Sequence, residues 1–348
     1  MRQFCFTFSL LMILAAAVKG QEAERDTTRQ HAKYLSEITL VGRNTRADIH
    51  FLPELVGTQV NAGKKNSLIV MDNVQGNVVT NTMRQVVAKV PGIQIWESDP
   101  SGIQIGIGAR GLSPNRSWEF NVRQNGYDIS SDPFGYPEAY YTPQLISVQR
   151  LEVVRGAGSL QYGPQFGGLV NFILKDGRGI NKPFQFETQQ TAGSFGLFNT
   201  YNAIGGETKK ANYYAFFDKR VGNGSRPNSG FDVNTGFGSI TWKATGKLKL
   251  GAEYTHFSYT AQQPGGLTDA QFKTNHLQSL RTRNWFNIRW DMLALTANYE
   301  ISDKSRINAK VFGMSGDRNS IGFMLKPNIA DTINAATQQF NNRRVDID

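Results

Sequence analysis

Cysteine is almost absent: the 348-residue chain has one, Cys5. A disulfide framework, a cysteine metal site and a cysteine nucleophile are therefore excluded from everything after the N-terminal segment. Histidine is nearly as scarce. His31, His50, His256 and His276 lie far apart, with no metal-ligand spacing between any two. No Walker loop, nucleophile elbow or HExxH occurs, so the sequence argues for no enzyme, no metal and no bound cofactor. Nor does any segment after the N-terminus reach the roughly eighteen apolar residues of a membrane-spanning helix.

Acidic residues are outnumbered, 28 against 38 basic ones, for a formal charge of +10. That balance suits an anionic ligand or an anionic lipid surface, and it equally suits scattered, solvated Lys and Arg. Residues 106 to 111, GIGARG, fit the dinucleotide pattern G-x-G-x-x-G. The helix that should follow is missing, because Leu112, Ser113, Pro114 and Asn115 break the chain, so these glycines read as tight turns and close backbone packing.

What is present begins with a secretory signal over residues 1–20. Arg2 is the cationic start, Phe4 to Val18 the apolar core, and cleavage is expected after Gly20. A retained anchor is the alternative reading of the same pattern. Loss of Arg2 and Lys19 would take the charge from +10 to +8. Residues 21–35 are polar and aperiodic and should form a flexible lead. The short run Ser36 to Val41, SEITLV, is β-prone and tethered by that lead, which suits strand addition to a partner's sheet edge. An ordinary edge strand remains its other reading.

Residues 42–180 read as a compact α+β unit. Thr80 to Val90, TNTMRQVVAKV, predicts one amphipathic helix, capped by Thr or Asn, with Met83, Val86, Val87 and Val90 on one face and a stop at Pro91-Gly92. Brief β-like pieces such as GIQIWES, RLEVVRG and GLVNFIL follow, divided by Gly, Pro, Asn and Asp.

After residue 180 the texture changes to longer alternating segments. Leu248, Leu250, Ala252 and Tyr254 oppose Lys247, Lys249, Gly251 and Glu253, and Ile307, Ala309, Val311 and Gly313 oppose Arg306, Asn308 and Lys310. Apolar outside and charged inside describes the wall of a water-lined barrel. Strands are predicted near 184–193, 196–206, 212–221, 232–243, 248–259, 285–300 and 305–318. Short polar turns alternate with longer loops between them. A soluble sandwich could alternate too, but its strands run to about five or six residues and would not repeat Lys, Glu and Arg on an interior face.

Three stretches together resemble the plug domain of TonB-dependent outer-membrane receptors: GARGLSPNRS, PFGYPEAYY and LEVVRGAGSLQYGPQFGGLVNFILK. Their spacing is most similar to the ferric dicitrate transporter subfamily. QQPGGLTDAQF, LRTRNWF and NNRRVDID resemble that subfamily's barrel stretches. The resemblance implies an α+β plug domain inside a transmembrane antiparallel β-barrel, with this chain covering the plug and about seven strands, residues 181–348, of a larger wall. It implies an outer-membrane monomer of a Gram-negative bacterium that imports a ferric chelate, ferric citrate or a related siderophore, powered through TonB and its inner-membrane energising complex. Cobalamin or an oligosaccharide is the alternative cargo, and a non-transporting porin or adhesin the alternative class.

The resemblance further implies that Glu37, Ile38, Thr39, Leu40 and Val41 form the TonB box, that Arg110 and Arg155 lock plug to barrel, and that Arg116, Tyr136 and Gln161 contact the ligand. Departures accompany it. Gln161 stands where a basic residue is common, and Glu138 brings an acid into a region expected to accept an anion. Residues 21–36 are too few for a signalling domain ahead of the box, so transport without transcriptional signalling is expected. A family barrel of about twenty-two strands would end near residue 600, so the sequence is expected to be the first part of a longer wall.

Overall fold

The computed structural model describes residues 49–347, apart from 57–58, 62–64, 88, 98–100, 131–138, 164, 303–304, 324, 327 and 342–344. The expected signal, lead and TonB box fall outside the described residues.

Ten described strands precede residue 175. They are β1 (Ile49–His50), β2 (Leu55–Val56), β3 (Gln59–Val60), β4 (Lys65–Val70), β5 (Ile93–Glu97), β6 (Ile105–Ala109), β7 (Phe120–Gln124), β8 (Tyr127–Asp128), β9 (Val148–Arg155) and β10 (Gly168–Leu174). Six of them form a sheet in the order β1-β4-β9-β10-β7-β8. Its centre is β9 and β10, whose runs of Val, Leu, Ile and Phe are buried on both faces, as central strands require. All pairings in it are antiparallel except β10 with β7. Strands β2 with β3, and β5 with β6, make separate two-stranded pieces.

The expected helix is present but short, α1 over Met83–Val87. Its apolar stripe is as read: Met83, Val86, Val87 and the following Val90 are all buried. The reading of Asn81 as a cap is corrected. It sits at φ 58°, donates from Nδ2 to Gly102 O at 2.9 Å and accepts Leu145 N–H at 2.9 Å, so its amide joins two distant loops instead of capping a helix.

Residues beyond 184 build one antiparallel meander in chain order. Its strands are β11 (Gln185–Ala192), β12 (Phe198–Glu207), β13 (Ala211–Gly222), β14 (Phe231–Lys243), β15 (Leu248–Gln262), β16 (Trp285–Ser302), β17 (Ser305–Phe323) and β18 (Val345–Ile347). Seven of these match the expected strands, with β15 to β17 running farther than read. The extra residues, 260–262, 301–302 and 319–323, mix Thr, Gln, Asn and Ser with Ala261, Ile301, Ile321 and Phe323 and carry no sustained alternation, so their strand character comes from ladder pairing. A further helix, α2 (Asp269–Thr274), lies in the 263–284 connection behind a capping box between Thr268 and Gln271.

Side chains on this sheet divide by parity. Ile240, Trp242, Leu250, Tyr254, Leu293, Leu295, Ile307 and Val311 are exposed on one face. The other face carries buried Tyr214, Phe216, Val233, Phe237, Phe257, Tyr259, Ile288, Trp290 and Met292, in one core with plug residues such as Tyr141 and Phe120. The expected polar inner face is thus corrected for β14 to β16. Above Glu253 the alternation inverts, and large apolar side chains pack on the plug where water was expected. No described helix is long and apolar enough to cross a membrane.

Candidate functional site: the contact between plug and wall

Antiparallel register sorts the inward residues of β13 to β17 into cross-strand rows. The first row is Arg220, Val233, Tyr259, Ile288 and Arg318. It grips the plug at widely separated points in the sequence. Arg220, 1% exposed, donates to Val79 O at 3.2 Å and also to Ser101 O. Tyr259 accepts from Gln104 at 3.3 Å, and the Arg318 guanidinium lies 5.5 Å from the Tyr140 ring. One row down, Thr235 takes a hydrogen bond from Gln144 and Phe257 packs on Tyr141, with ring centroids 4.9 Å apart. In the next, Thr255 accepts from Gln124 at 3.0 Å.

The lower rows meet the β7–β8 hairpin. Asn125 and Gly126 form its two-residue tip, at φ 46° and 86°, the left-handed pair that an Asn-Gly hairpin adopts. Asn125 Nδ2 donates to Glu253 Oε2 at 2.5 Å, and the Lys310 ammonium donates to the Asn125 carbonyl. Beside them Tyr127 stacks on Phe312 with centroids 5.4 Å apart.

A chemical regularity follows. Four of the wall's charged groups in these rows, Arg220, Glu253, Lys310 and Arg318, contact neutral plug groups, namely carbonyls, an amide and an aromatic ring, while a fifth, buried Asp218, accepts from Asn199 within the wall. A hydrogen bond to a charged group contributes about 1.5–3 kcal/mol net, and water can replace a carbonyl partner at modest cost. The seam is therefore specific yet separable. Burying oppositely charged partners on the two sides would have tied them far harder once desolvated.

Within the plug, burial dominates. It pushes the Tyr127 and Tyr141 hydroxyls well above the usual phenol range, with nearby Glu253 adding to the effect. Tyr162 is pushed up to about 12 by burial, while the Arg123 guanidinium, 4.7 Å over its ring, opposes the rise. Burial lowers Arg123 in turn. All three phenols are neutral at ordinary pH: Tyr141 donates to Gln124 Oε1 at 2.9 Å, and Tyr127 accepts from Gln124 Nε2 at 2.6 Å.

At the short-turn end, a cavity of about 320 Å³ opens between plug and wall, lined by Asp72, Gln149, Lys175, Asp176, Glu187 and Tyr214. Four of its charged groups are paired: Lys175 with Glu187 at 3.1 Å, and Asp176 with Arg178 at 2.5 Å. At the other end three arginines stitch the long connections together. Arg226 donates to Gln278 O and Gly265 O, Arg281 to Ile329 O and Leu325 O, and Arg283 makes a two-point pair with Asp331 at 2.7 and 2.8 Å.

The residues singled out from sequence are placed as follows. Arg110 is exposed at φ 60°, its guanidinium against the Gly156 α-carbon, and Arg155 donates to Pro91 O. Among the described residues these contacts are within the plug. Gln161 exchanges hydrogen bonds with the Val60 backbone at 3.1 and 3.3 Å, and Arg116 lies in the 3-10 turn Asn115–Ser117. Tyr136 and Glu37 to Val41 lie outside the described residues. The wall contacts Arg220, Glu253 and Lys310 were not singled out. The Asn-Gly at 125–126 was the available signal, since it marks a hairpin tip.

Comparison with known proteins agrees with this geometry. Residues 62–169 match the TonB-dependent Receptor Plug Domain family. The unliganded ferric citrate transporter FecA aligns at a TM-score of 0.62 with 22% identity, covering 74% of this chain and 40% of its own. The ferric yersiniabactin uptake receptor FyuA of Yersinia pestis aligns at 0.61 with 14% identity, covering 74% of this chain and 42% of its own. A mutant of the ferric enterobactin receptor PfeA of Pseudomonas aeruginosa aligns at 0.56 with 15% identity, covering 83% and 45%. The chain thus spans about two fifths of the length of the solved structures it resembles.

Proposed function

The chain is built as a TonB-dependent receptor, a plug seated against the strands of a barrel wall, and on that premise we propose that it serves active import of a ferric chelate across the outer membrane. The observation that carries the reading is the seam itself: charged wall groups at Arg220, Glu253 and Lys310 meet neutral plug atoms, which holds the plug in one place and lets it go without stranding a buried ion pair. A passive pore has no use for such a stopper.

Ferric citrate or a related siderophore is the proposed cargo. Solved structures of like fold are named for ferric citrate, ferric yersiniabactin and ferric enterobactin, and the long-loop end here is rich in arginine. Arg116 and Tyr136 are proposed ligand contacts. Gln161 is the weakest of the three, because both ends of its amide are engaged by Val60. TonB is the proposed partner, gripping Glu37 to Val41 as an added strand, with the ligand biasing the plug toward a box-exposed state.

Uptake of labelled iron on a panel of chelates, by cells expressing the complete chain, tests the reading. Deleting residues 36–41 should abolish uptake and leave ligand binding intact. Unchanged uptake after that deletion would sink it.

A further inference from the structure

We propose that Asn125 is the point at which the plug stays fixed to the wall during import, so that the plug turns about its β7–β8 tip while its N-terminal strands move. This rests on the import reading above and assigns it a fulcrum.

Asn125 uses every polar group it has. Its backbone N–H donates to Phe172 O at 2.8 Å, and its Oδ1 accepts Leu174 N–H at 2.9 Å, both on β10. Its Nδ2 reaches Glu253 on β15, and its carbonyl accepts from Lys310 on β17. One residue therefore joins the central plug strand to two wall strands. The next residue extends the knot: Gly126 N–H donates to Asn171 Oδ1 at 2.9 Å, Asn171 donates to Glu152 at 2.9 Å, and Arg123 donates to Gly126 O at 3.1 Å. Glu152 is 1% exposed and Glu253 8%, so both carboxylates depend on these partners for solvation.

Topology explains why this tip should be the fixed end. β10 runs from Leu174 through residues 175–184 directly into β11, so the plug is covalently joined to the wall on this side. Lys175 with Glu187, and Asn212 Nδ2 with Asp176 O at 2.8 Å, pin that connection further. The N-terminal strands β1 and β4 lie at the opposite edge of the sheet order, attached through β9. A pull from the N-terminal side on antiparallel β4 loads its ladder first at Lys65 with Arg155 and opens it pair by pair. Val79 and Ser101, which Arg220 holds, lie along the chain between β4 and the β7–β8 tip.

The test tethers the plug to the wall at chosen places. Cys5 is the chain's only cysteine and lies within the expected signal, so introduced thiol pairs can be bridged selectively by a short bismaleimide. Two tethers sit at the tip, N125C with E253C and, as an independent pair, Y127C with F312C. A third, V79C with R220C, joins the wall to the part expected to move. Labelled-chelate binding and uptake are measured on the complete chain before and after bridging. The proposal expects both tip tethers to leave uptake at the level of the unbridged variant, and the Val79 tether to reduce it to background with binding retained. Loss of uptake on bridging both tip pairs overturns it, as does full uptake with the Val79 tether closed. Failure of the unbridged parent to import any chelate would instead remove the import reading itself.

Discussion

Arg220 of β13 and Arg318 of β17 occupy one cross-strand row of the wall, separated by Val233, Tyr259 and Ile288 on the three intervening strands. At about 4.8 Å per strand they stand roughly 19 Å apart, which sets two cations at either side of an apolar and aromatic stretch. Arg220 holds plug carbonyls and Arg318 lies against the Tyr140 ring, so the pair grips the plug on two flanks.

Arg220→Lys should loosen the near flank. A guanidinium serves Val79 and Ser101 together, whereas an ammonium is a point donor on a flexible stem and is expected to keep one of the two. The expected loss is about 1–2 kcal/mol of plug docking, seen as faster limited proteolysis of residues 49–101 with the wall intact. Unaltered cleavage would show that the contact holds nothing.

Gly126→Ala should cost about 1–2 kcal/mol, from the backbone alone. Its φ is 86°, and a Cβ there would meet the Lys310 Nζ at 3.4 Å, an ordinary contact. Asn125→Asp should destabilise as well, by setting a carboxylate beside Glu253 in place of an amide donor. Denaturation midpoints of the refolded protein report both.

Gly316→Ala should disturb the wall more than Gly313→Ala three residues away. A Cβ at Gly316 would lie 2.5 Å from Trp290 Cε3 and 2.8 Å from Arg289 O, while at Gly313 nothing lies within 4 Å. Overpacking of this kind costs about 1–3 kcal/mol, so the heat-induced loss of the folded band on a semi-native gel should shift for Gly316→Ala only.

The plug should lose stability in alkali. Tyr162 is raised to about 12 in the fold, against about 10 for an unfolded phenol. A pKa raised by folding favours the native state below the unfolded value, and that contribution is lost as pH climbs from there through the folded value. Comparing phenolate absorbance of the parent with Tyr162→Phe isolates the group. A midpoint for Tyr162 at the free-phenol value would contradict its burial.

Asp331→Ala should release the last long connection. Asp331 is 2% exposed and holds Arg283 at two points, while Arg283 also lies 3.9 Å over the Phe340 ring. Without the carboxylate, protease cleavage within 325–341 should accelerate sharply.

The division into an α+β unit and long antiparallel strands was legible from the sequence because period-two patterning is local, as Leu248 to Tyr254 shows. The inversion above Glu253 was not. Phe257 and Tyr259 face inward because a plug fills the space there, and hydropathy along one strand cannot report what stands opposite it. The site fared similarly. Arg110 and Arg155 stood out through their RG motifs, yet the arginine donating from the wall into the plug is Arg220, a residue in an unremarkable strand run. Its role comes from a register row that joins five strands, and such pairings are long-range. Asn81 failed as a cap for the same reason: its partners are 21 and 64 residues away.

The stitching of the long connections has a kinetic consequence. Arg226 and Arg281 are satisfied by backbone carbonyls, which occupy their N–H groups without cancelling their charge. Across residues 223–230, 263–284 and 324–341, the five cations Arg226, Lys273, Arg281, Arg283 and Lys326 face two anions, Asp269 and Asp331, a surplus of three. Held by these bonds, that surplus contributes a positive local field at the long-connection end of the sheet. On the import reading proposed above, an anionic solute near these connections would be captured faster, and added salt, over a Debye length of about 8 Å at physiological strength, would slow capture while leaving release nearly untouched.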